Sequence, residues 1–418
     1  MQYSKKDLHW NFFMGLMHGI LFNGGVAFSS STTVIPAFIN MLTPSTAIIG
    51  FSYMIMGKGR GILGIIPQLF VANHLESKTN KKPLLVKAIV VRATSWGILA
   101  FSTFLFAKKD PVVMLWILIV SLGLFTLMGG FAAIPFSDIF GKAIPSRLRG
   151  RFFALRGLFG GIVAIIAGII VRYILKSGDI LFPRNFGLIF TLSFIFVSAS
   201  YIFLSFIKEP IEPVHKQSLP FSVFIKKVRS TLANDLNFRN FLIAEILIGA
   251  SSFSLPFYII YAKSSLHFPS ETVGTFLTIQ MIGIVISNLA WGYVSDYIGN
   301  KTVIVFTAVA GFLVPLVAYF SNGNFYIYSI VFLLIGFMFS GMNVGYVNFV
   351  IDSAPSKERP TYIGLNGTLT FPILTYSLIG GILVKFISYK MLFIITFVLV
   401  FAGFIIALQL KEPRLLHS

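Results

Sequence analysis

The residues in this chain best placed to do chemistry are charged or polar groups inside long apolar runs. Gly57-Lys58-Gly59-Arg60-Gly61 interrupts one such run with two cations. Lys58 and Arg60 are two positions apart, so on a helix their side chains leave about 200° apart and only one can face a given cavity squarely. A cation held in hydrocarbon costs about 2.5 to 3.5 kcal/mol and marks either a functional site or a paired partner. These two suit an anion, such as a carboxylate, a phosphate or a lipid headgroup; snorkelling toward water is the competing reading. The glycines lack the strand-loop-helix setting of a phosphate loop, so nucleotide binding is not indicated.

Glu245 is the deepest acid, suited to carrying a proton or to serving as counter-ion to Arg60. His18, which can titrate near neutrality, and Asn23 project from the first run. Gln280, Asn288, Asn343 and Tyr346 are uncharged contact candidates for a solute, each weighed against plain interhelical hydrogen bonding. No metal-ligand cluster, catalytic carboxylate pair or activated nucleophile is evident, so neither an enzyme nor a cofactor is expected.

The elements that must hold these residues are membrane helices. The 418 residues are 56% hydrophobic and only 11% charged, with a mean hydropathy of +0.86, whereas soluble chains carry about a quarter charged residues. Apolar runs recur at lengths that cross about 30 Å of hydrocarbon, and uniformly apolar runs make helices rather than alternating barrel strands. Spans are predicted near 11–39, 45–71, 84–107, 111–140, 151–175 and 186–207. Six more come near 240–262, 272–295, 302–320, 324–351, 362–386 and 389–410. The expected plan is therefore an all-α polytopic protein of twelve spans in two six-helix bundles, 1–207 and 240–418, joined by a polar linker, 208–239. The run after Lys5 and Lys6 is too long for a signal segment and is read as a retained first span. Trp96, Trp116 and Trp291 are expected as interfacial anchors near span ends.

The net charge of +19 would suggest nucleic acid in a soluble protein. In this chain most of the 33 Lys and Arg residues, Arg147, Arg149, Arg151 and Arg156 among them, fall on one side of the predicted spans, and three remain inside. That asymmetry places both termini and the linker in the cytoplasm of a bacterial inner membrane protein.

The chain is also built twice. Pro145-Ser146-Arg147-Leu148-Arg149-Gly150-Arg151-Phe152 returns as Pro355-Ser356-Lys357-Glu358-Arg359-Pro360-Thr361-Tyr362. Asn11-Phe12 is paired with Asn240-Phe241 as the start of each half, and Pro36 with Pro256 as the break in each first span. Asp138 and Asp352 end the fourth and tenth spans close to the two copies and are read as gate or capping charges.

Gly292-Tyr293-Val294-Ser295-Asp296-Tyr297-Ile298-Gly299-Asn300-Lys301 resembles the major facilitator superfamily, whose pattern Gly-x-x-x-Asp-x-x-Gly-x-basic lies after the second span of a half. Gly292 would permit close helix contact and Gly299 a tight turn. The resemblance implies a transporter that works by alternating access. It also implies that Asp296 meets the positive N-terminus of the fifth span, near Arg149 or Arg151, as a cytoplasmic latch. Lys301 completes the motif, and Arg359 marks the corresponding position in the other half. The first half departs from the pattern, and the fifth span lacks the Gly-Pro centre of the family's antiporters. The expectation is a monomeric secondary transporter of a small organic solute or amphiphile, preferably anionic, with H+ or Na+ as coupling ion. A lipid flippase or scramblase on the same scaffold is the alternative, and a lipid-modifying membrane enzyme comes after it.

Overall fold

A computed structural model describes residues 5–57, 61–65, 67, 80–210, 231–355 and 358–415. In chain order the first helices are α1 (Lys5–Phe28), α2 (Val34–Leu42), α3 (Thr46–Met56), α4 (Lys82–Phe106), α5 (Pro111–Ala143), α6 (Ser146–Lys176) and α7 (Arg184–Ser205). After them come α8 (Leu236–Ile248), α9 (Phe257–Ser264), α10 (Thr272–Tyr297), α11 (Asn300–Phe320), α12 (Phe325–Gly341), α13 (Val347–Ser353), α14 (Arg359–Leu369), α15 (Tyr376–Leu383) and α16 (Tyr389–Gln409). Among the described residues nine segments are long and apolar enough to cross a membrane. The expected first, second and eleventh spans are represented by shorter or less apolar helices.

Several spans expected to be continuous are broken. The first bends through Ser29–Thr33, where the Ser29 hydroxyl bonds back to the carbonyls of Gly25 and Val26 and competes with the helical ladder. Pro36 therefore sits inside the first turn of α2 rather than at the break, a position that tolerates its missing N–H. The seventh passes through a 3-10 turn, Gly249–Phe253, before Pro256 caps α9. The tenth contains a single π turn, Met342–Tyr346, between α12 and α13. Such turns insert one residue and rotate the remainder of the helix, often at functional positions.

The helices pack as two compact units. The first comprises Met1–Ser45, Phe51–Gln217 and Pro269–Thr278; the second comprises Thr46–Gly50, Ser218–Phe268 and Ile279–Ser418. Within the first, α1 packs on α6 and α7, and α4 on α5 and α7. Within the second, α8 packs on α16, and α11 on α12 and α16.

The repeat extends beyond the matched stretches of sequence. In the first unit Asn11 donates to the Lys208 carbonyl at 3.0 Å and accepts from the Lys208 amide at 2.9 Å. In the second, Asn237 makes the same pair of bonds with Lys411 at 3.0 and 2.8 Å. The next residues repeat as well. Glu209 accepts the amides of Lys81 and Lys82 at the start of α4, and Glu412 accepts the Lys301 amide at the start of α11. Each carboxylate satisfies free amides at a positive helix end. The counterpart of Asn11-Phe12 is thus Asn237-Phe238, not Asn240-Phe241. Ring contacts agree, since Phe12 meets Phe152 at 5.2 Å and Phe238 meets Tyr362 at 4.5 Å. The corresponding sequence signal is Lys208-Glu209-Pro210 and Lys411-Glu412-Pro413.

Candidate functional site

Lys58 and Arg60, the cations singled out from the sequence, lie outside the described residues. The structure instead shows two other arginines turned inward and half-buried in the first unit. Arg92 leaves the middle of α4, where Gly129 of α5 makes room: a Cβ at that glycine would stand 3.4 Å from the guanidinium carbon. The guanidinium lies 4.1 Å from the Phe125 ring centre and 5.6 Å from those of Phe22 and Tyr201. Arg156 leaves α6 and crosses to α1, where Gly19 has no side chain to obstruct it; a Cβ there would overlap the arginine chain. Its guanidinium lies 5.3 Å from the Phe136 ring and 5.9 Å from that of Phe140. Arg156 is therefore not one of the loop charges that the sequence puts it among. Its long chain tucks inward because the glycine on α1 opens a slot for it.

Neither arginine has a carboxylate partner among the described residues. Quadrupolar attraction to ring faces supplies about 0.5 to 2 kcal/mol per contact, less than an isolated cation in hydrocarbon costs. Asp138, on α5 of the same unit, is already held by Lys81 at 3.0 Å and Lys142 at 2.6 Å. It is an ion pair within its own unit.

His18 is 3% exposed on α1 and also belongs to this cluster, within electrostatic reach of both arginines. Its Nδ1 lies 2.6 Å from the Ser200 hydroxyl, which itself donates to the His18 carbonyl at 3.0 Å. With that hydroxyl proton committed, Nδ1–H is the donor and Nε2 is the second ring position available for chemistry. Asn23 packs against Gly160 of α6, where a Cβ would collide with its amide nitrogen; it joins helices. Trp96, expected at an interface, is 2% exposed and packs on Phe125 at 5.5 Å, whereas Trp116 is exposed.

The second unit reverses the sign. Glu245 of α8 accepts a hydrogen bond from the Asn366 amide of α14. Tyr346, in the π turn, is 6% exposed and within electrostatic reach of the same carboxylate. Its hydroxyl has no partner among the described residues. The cluster therefore holds an acid, an amide and a phenol. Gln280 is 1% exposed on α10, and Asn343 is exposed on the π turn. Asn288 is exposed and within 3.4 Å of the Ser340 hydroxyl.

The motif region splits in its behaviour. Gly299 has φ +129°, the left-handed region that the expected tight turn needs. Lys301 contributes its amide to Glu412. A Cβ at Gly292, however, would meet nothing within 4 Å, so the close approach expected of it is absent among the described residues. Asp296 is exposed on α10. Arg149 folds back to donate to the Ile144 carbonyl at 2.9 Å and to the Gly141 carbonyl, satisfying the C-terminus of α5. Arg151 and Arg359 are exposed. Asp352 accepts from Arg414 at 2.9 Å and from Asn300 at 2.7 Å, a network within the second unit.

Residues 241–417 match the family model of the Major Facilitator Superfamily. Three solved structures share the fold over nearly the whole chain. The nucleoside transporter NupG, in a mutant form, has a TM-score of 0.69 at 16% identity, covering 96% of this chain and 100% of its own. A bacterial homologue of the iron transporter ferroportin in its inward-facing state has a TM-score of 0.71 at 12% identity, covering 97% and 99%. The D-xylose-proton symporter has a TM-score of 0.69 at 13% identity, covering 97% and 98%. No curated protein matches the sequence.

Proposed function

We propose that this chain, whose residues 241–417 match the Major Facilitator Superfamily model and whose fold is shared with solved transporters over nearly its whole length, is a secondary active transporter. Its cargo is a small organic solute or amphiphile carrying a negative group, moved by alternating access between duplicated halves. The observation that carries this reading is the separation of uncompensated charge. One unit holds half-buried Arg92 and Arg156 beside buried His18 without an acidic partner among the described residues, and the other holds half-buried Glu245 among neutral groups. A cationic cluster suits an anionic cargo, and a lone half-buried acid suits a travelling proton. The transporters of similar fold include a proton symporter, which supports H+ as the coupling ion.

Purified protein in liposomes tests this. Uptake of organic anions without ATP, accelerated by an imposed proton gradient but not by a sodium gradient, is the expected result. Gradient-independent equilibration of lipid between leaflets would favour the scramblase reading instead. Asp296 is proposed to act as a cytoplasmic latch, so Asp296→Asn should slow turnover and leave solute affinity nearly unchanged.

A further inference from the structure

Five buried donors in the first unit lack hydrogen-bond partners among the described residues; one is the Thr33 hydroxyl, and the other four lie on α4 or α7: Arg92 Nε, Trp96 Nε1, the Ser198 hydroxyl and the Tyr201 hydroxyl. Arg92 and Trp96 are one helical turn apart, as are Ser198 and Tyr201, so each pair shares a helix face. The two faces belong together, because the Arg92 guanidinium lies over the Tyr201 ring. A native interior leaves very few such groups unpaired, and each costs about 1 to 3 kcal/mol. The charge of Arg92 sharpens the case. Its Nε–H makes no hydrogen bond among the described residues, and Asp138 of the same unit is taken by two lysines.

Between the same two helices lies an open cleft of about 650 Å3, within the range of small-molecule sites. Tyr201 and Ser198 form part of its wall, while Ala93, Gly97, Phe101 and Phe194 make the rest of it apolar. Exposed Val90, Ile98 and Ile202 stand at its rim on the face that a bilayer would cover.

We propose that this is a binding site for an amphipathic organic anion, whose carboxylate or phosphate meets the Tyr201 and Ser198 hydroxyls of the wall, with the Arg92 guanidinium behind the Tyr201 ring supplying the positive charge, while its apolar body lies along the cleft between α4 and α7. The chemistry is selective on both counts. Donors beside a fixed cation call for an oxyanion, and an apolar wall rejects small, fully hydrated anions by leaving their water shell unreplaced. The anion can arrive dissolved in water or resident in the bilayer. The site is built in one unit and needs no transport cycle to fill, so its failure and that of the transport reading are separable.

The test uses the full chain in nanodiscs of neutral phosphatidylcholine, with thermal unfolding monitored during titration with octanoate, with octanol as its uncharged twin, at constant ionic strength. Octanoate should raise the midpoint and octanol should not, and both Arg92→Gln and Tyr201→Phe should weaken the apparent affinity about tenfold or more. Should Arg92→Gln fail to fold, Tyr201→Phe carries the test alone, since it removes one oxygen from a group without a partner. In discs containing phosphatidylglycerol, stabilisation without octanoate, lost in Tyr201→Phe, would assign the site to a membrane lipid; stabilisation by octanoate in both kinds of disc would assign it to a dissolved anion. Equal shifts with octanoate and octanol, or a full octanoate shift in both variants, would overturn the site. Octanoate binding through Arg92 with no flux in liposomes would leave the site standing and sink the transport reading.

Discussion

The first unit holds half-buried cations against aromatic faces, whereas the second holds a half-buried acid against an amide and beside a phenol. Arg92 and Arg156 each lie over two or more rings, and the glycines opposite them clear a path through the bundle. Glu245 has no such setting, and the group that meets its carboxylate is the neutral Asn366 amide. Two units of one chain, built on similar packing pairs, thus hold inward-turned groups of opposite charge. Ring faces stabilise a permanent cation but give no place for a proton to go, since Arg stays charged at any ordinary pH. A carboxylate among neutral donors can hold or release a proton with little rearrangement. The proposed division gives recognition of a fixed charge to one unit and proton traffic to the other.

That division can be broken most decisively at Glu245. Glu245→Gln should abolish proton-driven accumulation in liposomes while exchange of labelled for unlabelled solute continues; accumulation unchanged in the variant would end the proton assignment. The next largest effect is expected in the first unit. Gly19→Leu fills the slot of Arg156 and should cut solute affinity at least about tenfold, with helical content by circular dichroism retained. Loss of accumulation with affinity intact would mean that Arg156 belongs to coupling rather than recognition.

Smaller effects sharpen the same comparison. Ser200→Ala removes both bonds between His18 and the Ser200 hydroxyl of α7 and should destabilise the protein by about 1 to 3 kcal/mol, read as a lower unfolding midpoint; an unchanged midpoint would free His18 from its structural role. Tyr346→Phe should leave the midpoint unchanged or slightly raised, because its hydroxyl is buried without a partner among the described residues, and should slow proton-driven uptake a few-fold if the phenol relays to Glu245. The least effect is expected from the paired caps. Glu209→Gln and Glu412→Gln should each cost about 0.5 to 2 kcal/mol, and closely similar values would establish that the two ends are equivalent. A large difference between them would show that the units, alike in packing, differ in what holds them.

The sequence alone carried the membrane class, the helical fold and the duplication. These rest on quantities that do not depend on tertiary contacts: runs long enough to span hydrocarbon, loops rich in cations, and a stretch near Pro145 that returns near Pro355. It also marked Glu245, His18 and Tyr346 as polar groups in apolar surroundings. What it could not place were side chains whose meaning depends on a residue in another helix. Arg156 read as a loop charge until Gly19 gave it a slot, and Trp96 read as an anchor until Phe125 covered it. The true start of the second half was hidden because Asn-Phe occurs at both 237 and 240, and only paired bonds to Lys411 select between them. Composition and periodicity report what one helix does in lipid. Burial of a charge, and whether it is partnered, is a property of several helices together, and it decided where this protein holds its cations and where it holds its acid.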